Sequence, residues 1–188
     1  MQSIAFIGID GAGKTSLAGM ISNELTKRGY RSKKLHIKSF NQEVLRHMEQ
    51  HRPGLVQEEL KLVASTLDLL YRSIHLQTQQ YDFVIWDRYY YCLQAYYRAL
   101  NIHIPWQESL FSFLNPPNLT FILKIEPTEA VNRLQNRNEP IKPLENINYL
   151  SKVTAEYKKM CIKYNFITLD ASLSLDDLKK QILSYLLS

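Results

Sequence analysis

Several absences narrow the field before any motif is read. The 188-residue chain has two cysteines, Cys92 and Cys161, far apart in sequence. They form no metal-spaced cluster and give no support for a disulfide framework, so each reads as a small buried hydrophobe. No apolar run approaches the length of a membrane span. The N-terminus has no basic leader before its first apolar run, which sets the expectation of a cytoplasmic protein without a signal peptide. There are no internal repeats and no low-complexity tract. The basic excess is modest, 23 Lys and Arg against 18 Asp and Glu, and it is scattered. That balance suits a polyanionic small ligand and lacks the dense basic stripe of a nucleic-acid binder. The strings Asp-x-x-Gly and Asn-Lys-x-Asp expected of a GTPase are missing too. The remaining composition, 45% hydrophobic and 22% charged, is that of a globular chain long enough for one good core. One domain spanning residues 1–188 is the expectation. Tyrosine is the anomaly, at 12 residues.

The chain is organised around Gly8-Ile9-Asp10-Gly11-Ala12-Gly13-Lys14-Thr15. This fits the phosphate-loop pattern G-x-x-x-x-G-K-S/T, with an apolar strand Ile4–Ile7 before it and a helical segment from Lys14 to about Arg28 after it. The glycines allow successive backbone amides to face one centre, and the helix N-terminus adds unpaired N–H groups there. Lys14 is placed to reach β- and γ-phosphates. Thr15 is placed to hold Mg²⁺, with Ser16 beside it at the start of the helix.

Later segments alternate between strand and helix. Strands are expected over Tyr81–Trp86, Leu119–Ile125 and Phe166–Leu169, and over Arg31–Lys38, which alternates poorly but carries Leu35 and Ile37 before a polar break. Helices are expected over Asn41–Gln50, Val56–Gln79, Tyr89–Leu100, Pro127–Asn136, Ile147–Tyr164 and Leu175–Leu187, with a further helical stretch around Trp106 and Phe111. In the long helix, Leu60, Val63, Ala64, Leu67, Leu70, Tyr71 and Ile74 read as the buried stripe. The alternation gives an α/β three-layer fold of the P-loop NTP hydrolase type, with a five-stranded, mostly parallel sheet flanked by helices.

The candidate chemistry gathers at strand ends. Asp87 and Arg88 follow the third strand, where an acidic residue can organise Mg²⁺ and a guanidinium can grip phosphate; an Asp cap with an exposed Arg is the plain alternative. Asp68 and Arg72 lie four apart on one helix, either as a surface ion pair or as a pair facing substrate. The basic residues of Arg31–Lys38 are either a solvated face or part of an acceptor pocket. Five tyrosines from Tyr89 to Tyr97 can line a site for a base and sugar, with Tyr96 and Tyr97 as candidate contacts. Arg133 and Arg137 fall four apart on one face, before a polar, proline-containing segment. Residues 133–147 read as a lid whose arginines close on transferring phosphates, with ordinary solvated arginines as the alternative.

Taken together, these strings resemble the thymidylate kinase-like nucleoside-monophosphate kinases over essentially the whole chain. The resemblance is carried by the phosphate loop with its acidic residue, by Asp87-Arg88-Tyr89 followed by Gln94-Ala95-Tyr96, by Arg133-x-x-x-Arg137 with Glu145 after it, and by Leu169-Asp170-Ala171-Ser172. It implies an ATP- and Mg²⁺-dependent kinase, commonly a homodimer, that extends a deoxynucleotide 5′-phosphate. It further implies that Asp10 approaches the acceptor deoxyribose and that Arg72 and Arg88 approach acceptor base or phosphate. Tyr96 would face the sugar, and Asp170 and Ala171 would lie near adenine. Because position 12 of the loop is Ala12, the charge-stabilising arginine would be Arg137 of the lid. The chain departs from the family in its acceptor half. Lys38-Ser39-Phe40-Asn41 stands in place of Phe-Pro-Arg. Asp68 stands where a base-stacking phenylalanine is usual, and Cys92 where a serine is. Pro143-Leu144 replaces the Asp-Arg before Glu145. Thymidylate is the default acceptor, with a different nucleotide or nucleoside as the runner-up. A nucleotide-binding protein without catalysis is the alternative of another class.

Overall fold

The computed structural model describes residues 1–37, 58–77, 79–103, 105–137 and 140–187. The helix expected over Asn41–Gln50, and the segment from Lys38 to Asn41, lie outside the described residues. Five strands form one sheet: β1 (Gln2–Ile7), β2 (Ser32–His36), β3 (Phe83–Asp87), β4 (Leu119–Lys124) and β5 (Ile167–Asp170). All four pairings are parallel, in the order β2-β3-β1-β4-β5. The central strand β1 is covered on both faces, which is why Ile4, Ala5, Phe6 and Ile7 form an unbroken apolar run with no exposure at all.

The helices are α1 (Lys14–Lys27), α2 (Glu58–Gln77), α3 (Tyr90–Arg98), α4 (Pro105–Phe111), α5 (Pro127–Gln135), α6 (Ile147–Lys163) and α7 (Leu175–Leu186). α1 packs against α7, while α3 packs against both α2 and α6, and α6 also meets α5. Helix starts follow local chemistry. Ser174 and Asn146 each accept a backbone N–H in the first turn of α7 and α6. Pro127 opens α5, where its missing N–H costs nothing. Gly29 takes φ +89° just beyond α1, the left-handed stop that glycine supplies.

The elements expected from the sequence are present among the described residues, with ends shifted by one or two positions. The buried face of α2 is a correction. Leu67, Tyr71 and Ile74 are 53–64% exposed and Leu60 is exposed with them, while Leu62, Leu69 and Leu76 are buried. The two sets are offset by two residues, about 200° around the helix, so they occupy opposite sides. Ser65 and Thr66 accompany the buried set because their hydroxyls donate back to the Lys61 and Leu62 carbonyls. Thr66 also accepts from the buried Gln107 amide of α4. Choosing the more obviously apolar stripe therefore selects the wrong side.

The chain runs from β1 to the edge strand β2, returns to β3 beside β1, then crosses to β4 and β5. Sequence order reverses beside β1, and in open α/β sheets ligands collect outside the carboxyl ends of strands at such a point. Those ends carry Gly8, Asp87 and Asp170.

Candidate active site

The loop between β1 and α1 is held in a shape that needs its glycines. Gly11 has φ +84°, and a Cβ there would come within 2.4 Å of the Ala130 carbonyl oxygen of α5. Gly8 has φ +137°, and a Cβ there would come within 2.6 Å of the Leu123 carbonyl oxygen of β4. Gly13, at φ +88°, leads directly into α1. Ala12 is buried, and Thr15 and Ser16 sit exposed in the first turn of α1. The Lys14 ammonium folds over the loop, donates to the Ile9 carbonyl at 2.6 Å and lies 3.8 Å from Asp10. Burial, and then the charge of Arg88, push the Lys14 ammonium down to about 8, against the pull of Asp10.

Arg88 is the strained residue of the site. It holds φ +78°, a region costly for a side chain with a Cβ. Three contacts hold it there. Its guanidinium makes an ion pair with Asp10, its carbon centre lies 5.4 Å over the Tyr96 ring, and its backbone N–H donates to Phe6. Burial disfavours charge on Asp10, but Arg88 and Lys14 override it and hold the carboxyl well below the usual range. Burial likewise opposes charge on Arg88, and Asp10 overrides it, keeping the guanidinium fully charged. Burial, and then Asp10, push the Tyr96 hydroxyl well up, so it stays protonated. The capping reading of Asp87-Arg88 is thus set aside: Arg88 is not a solvated arginine, and the α3 cap position is Tyr89.

Asp87 ends β3 with no solvent exposure. Its Oδ2 is 2.8 Å from His36 Nδ1, and its Oδ1 makes no hydrogen bond among the described residues. Burial works against its ionisation. The His36 contact and the neighbouring Thr15 hydroxyl override that and keep the carboxyl below its ordinary value. An orphaned buried carboxylate oxygen beside a threonine hydroxyl is a hard-oxygen pair that fits Mg²⁺.

Of the two i, i+4 pairs drawn from the sequence, one comes apart and one stays together. Arg133 stays on α5 and pairs with Glu129 at the exposed surface. α5 ends at Gln135, so Arg137 lies beyond the helix, and the expectation that the two arginines share one helical face is corrected. Arg137 instead pairs with Glu145, which is only 4% exposed and also accepts the Lys142 N–H at 2.8 Å. Asp68 is 1% exposed, and both its oxygens receive the Arg72 Nε–H, at 2.9 and 2.8 Å. This is a half-buried pair rather than a surface one. Tyr97, on the last turn of α3, is half-buried.

A cavity of about 670 Å³ opens beside the loop. Gly8, Ile9, Lys124, Glu126, Thr154, Lys158, Asp170 and Ser172 line it. The turn at its far side is fixed by Asp170, which accepts from the Ser172 N–H and hydroxyl, and by the Ala171 N–H, which donates to Lys124. Volume and lining suit a nucleotide-sized ligand.

The family profile described as thymidylate kinase matches residues 6–182. The chain belongs to the thymidylate kinase family. It is therefore an ATP-dependent phosphotransferase of the P-loop kinase fold. Among its relatives, the probable thymidylate kinase of Sulfurisphaera tokodaii is 30% identical over 185 residues, covering 98% of this chain and 95% of the relative. The probable thymidylate kinase of Archaeoglobus fulgidus is 31% identical, covering 95% and 91%. A solved deoxyadenosine kinase from M. mycoides, with dCMP and a flexible dCDP bound, superposes with a TM-score of 0.75 over 98% of both chains at 17% identity, a likeness of fold.

Sequence reading missed three contributors to this kinase site. His36 is visible only as a polar residue ending a parallel strand. Tyr157 donates to the Gly8 carbonyl at 3.3 Å, and Tyr149 to the Tyr96 carbonyl at 2.7 Å. No local pattern marks either tyrosine, because each acts across more than fifty residues of sequence.

Proposed function

We propose that this kinase transfers the γ-phosphoryl of ATP to the 5′-phosphate of a deoxynucleoside monophosphate, with thymidylate as the default acceptor, giving dTDP and ADP. The observation that carries this reading is the cluster of Asp10, Arg88 and Tyr96 against Lys14. One carboxylate there bridges the phosphate-gripping lysine and a strained arginine. A phosphate oxygen is already ionised near neutrality, so the acceptor needs no strong base. Catalysis then reduces to placing donor and acceptor in line and spreading the transferred charge. Lys14 bears on the β- and γ-phosphates, Arg88 on the acceptor phosphate, and Asp10 on the acceptor sugar. Tyr96 packs under the sugar with its hydroxyl protonated, and Tyr97 lies beside it.

Residues 133–147 act as the lid, with Arg137 as the cation that stabilises charge on the moving phosphoryl group. Glu145 orients it. Arg133 extends the donor side, and Asp170 and Ala171 border the adenine. Thr15 and Asp87 would hold Mg²⁺, which when bound would neutralise charge developing on the phosphates. The working unit is one domain over 1–188.

A second reading concerns the acceptor. Asp68 offers no ring for stacking, and its oxygens are engaged by Arg72 Nε. The pair therefore serves to hold a guanidinium toward the acceptor, and the base it meets need not be thymine. The test is ADP formation from ATP and Mg²⁺ with deoxynucleoside monophosphates, ribonucleotides and free nucleosides. Turnover confined to thymidylate removes the second reading. No acceptor-dependent turnover with any of them contradicts both.

The exposed row Leu60, Leu67, Tyr71 and Ile74 supports a homodimer built on α2, because seven-residue spacing presents a continuous apolar seam. Among the described residues no helix is long and apolar enough to cross a membrane. With the scattered charge, this supports a cytoplasmic enzyme acting on small molecules rather than on nucleic acid or lipid.

A further inference from the structure

His36 closes β2 in register with Asp87 of β3. Parallel pairing of the two strand ends is completed by the Ile37 N–H, which donates to the Asp87 carbonyl. The imidazole Nδ1 is 2.8 Å from Asp87 Oδ2. A carboxylate oxygen accepts, so in this contact Nδ1 carries the hydrogen. The side chains differ in burial: Asp87 has no exposure, whereas that of His36 is about a third exposed. One carboxylate oxygen is therefore pinned, and the other, Oδ1, is buried and without a hydrogen bond among the described residues.

We propose that His36 is the positioning residue for the cation site of this kinase, holding Asp87 through Nδ1–H so that Oδ1 faces the divalent ion together with the Thr15 hydroxyl. The inference rests on the Mg²⁺-dependent reading above. A carboxylate with two free oxygens can rotate toward nearby cations; Lys14 and Arg88 both lie in this cluster. A carboxylate pinned by one N–H keeps one oxygen in place, and such outer partners typically contribute about 10–100-fold to metal affinity. Mg²⁺ takes one or two carboxylates and leaves its other positions to phosphate and water, so a single aimed oxygen is the geometry it needs. His36 touches no reacting atom in this account.

The test uses the full-length enzyme with ADP, titrated with Mn²⁺ and read by electron paramagnetic resonance. Asn places an amide N–H close to where Nδ1–H stood, Gln places it nearer Nε2, and Ala removes it. His36→Ala is expected to weaken Mn²⁺ binding about tenfold, with the metal-free affinity for ADP unchanged. His36→Asn is expected to stay within about threefold of the parent, and His36→Gln to resemble His36→Ala. Mn²⁺ binding unaffected by His36→Ala overturns the proposal. So does an Asn variant as weak as the Ala variant, which would assign the effect to the ring's other nitrogen. Loss of metal-free ADP binding in step with Mn²⁺ binding also overturns it, since that marks a general collapse of the strand end. A parent enzyme that binds ADP and gains nothing from Mn²⁺ fails earlier, at the Mg²⁺-dependent reading, and takes this inference with it.

Discussion

The proposed donor side and the proposed acceptor side of this site are built by different means. On the donor side, a short loop between β1 and α1 sets the backbone, and Lys14 is tied to it over a short chain distance. Lys14, Asp10 and Ile9 lie within five residues. On the acceptor side the charges sit on separate elements: Arg88 just past β3, and Asp68 with Arg72 on α2. Their placement depends on how helices pack. A loop so constrained by φ and close backbone contact tolerates little change. A helix face can exchange a ring for a carboxylate and still fold, provided the carboxylate finds a partner, as Asp68 does in Arg72. Substrate identity can therefore shift while phosphoryl transfer is retained, which is the second reading proposed for Asp68 and Arg72.

The comparison breaks most sharply at Arg137. If it stabilises transferred charge, Arg137→Ala should lower kcat by about a thousandfold while ATP affinity changes only a few-fold. Equal losses in both would make it a ground-state binder. Glu145→Gln should cost less, about tenfold in kcat, because it loosens the arginine without removing it.

Asp10→Asn comes next. It leaves Arg88 buried with its main counter-charge gone, so kcat/KM for the acceptor should fall about 30–100-fold and the melting temperature should drop. An unchanged acceptor KM would separate Asp10 from the acceptor sugar. Asp68→Asn is smaller and one-sided: a rise of about five- to tenfold in acceptor KM with ATP KM unchanged. Steady-state kinetics with either substrate varied decides it.

The donor side also carries a pH signature. Lys14 sits at about 8, below the ordinary lysine value. In its proposed role it grips phosphate only when protonated, so ADP affinity of the metal-free enzyme should be full below that pH and decline as pH rises through it. Phosphate in the site will raise the midpoint. Calorimetry between pH 7 and 9.5 should show this decline in the parent and a flat response in Lys14→Met. The smallest expected effect on chemistry is Leu67→Lys on the exposed side of α2. It should leave circular dichroism intact and shift light scattering from dimer to monomer mass. A mass unchanged at the monomer in both would remove the seam.

How much of this was legible in the sequence follows the same division. The phosphate loop and the strand that precedes it are local patterns, and the structure places them where the periodicity predicts. The parallel sheet follows from alternation of strand and helix, whereas the strand order β2-β3-β1-β4-β5 does not. α2 misled because it has two apolar rows, Leu60-Leu67-Ile74 and Leu62-Leu69-Leu76, and periodicity cannot say which of two opposite faces meets the core. The lid arginines misled because a four-residue spacing places side chains on one face only while the helix continues, and α5 stops between them. The left-handed backbone at Arg88 and the contact between His36 and Asp87 were invisible, since both arise from strands brought together across the sheet.

The central claim is that an intact donor site phosphorylates a nucleotide acceptor. The direct measurement is ADP release by the parent enzyme from ATP and Mg²⁺, with and without each deoxynucleoside monophosphate. Acceptor-dependent release, matched by formation of the corresponding diphosphate and abolished by Arg137→Ala, is the predicted result. ADP release that is indifferent to every acceptor, or that survives Arg137→Ala, would contradict it.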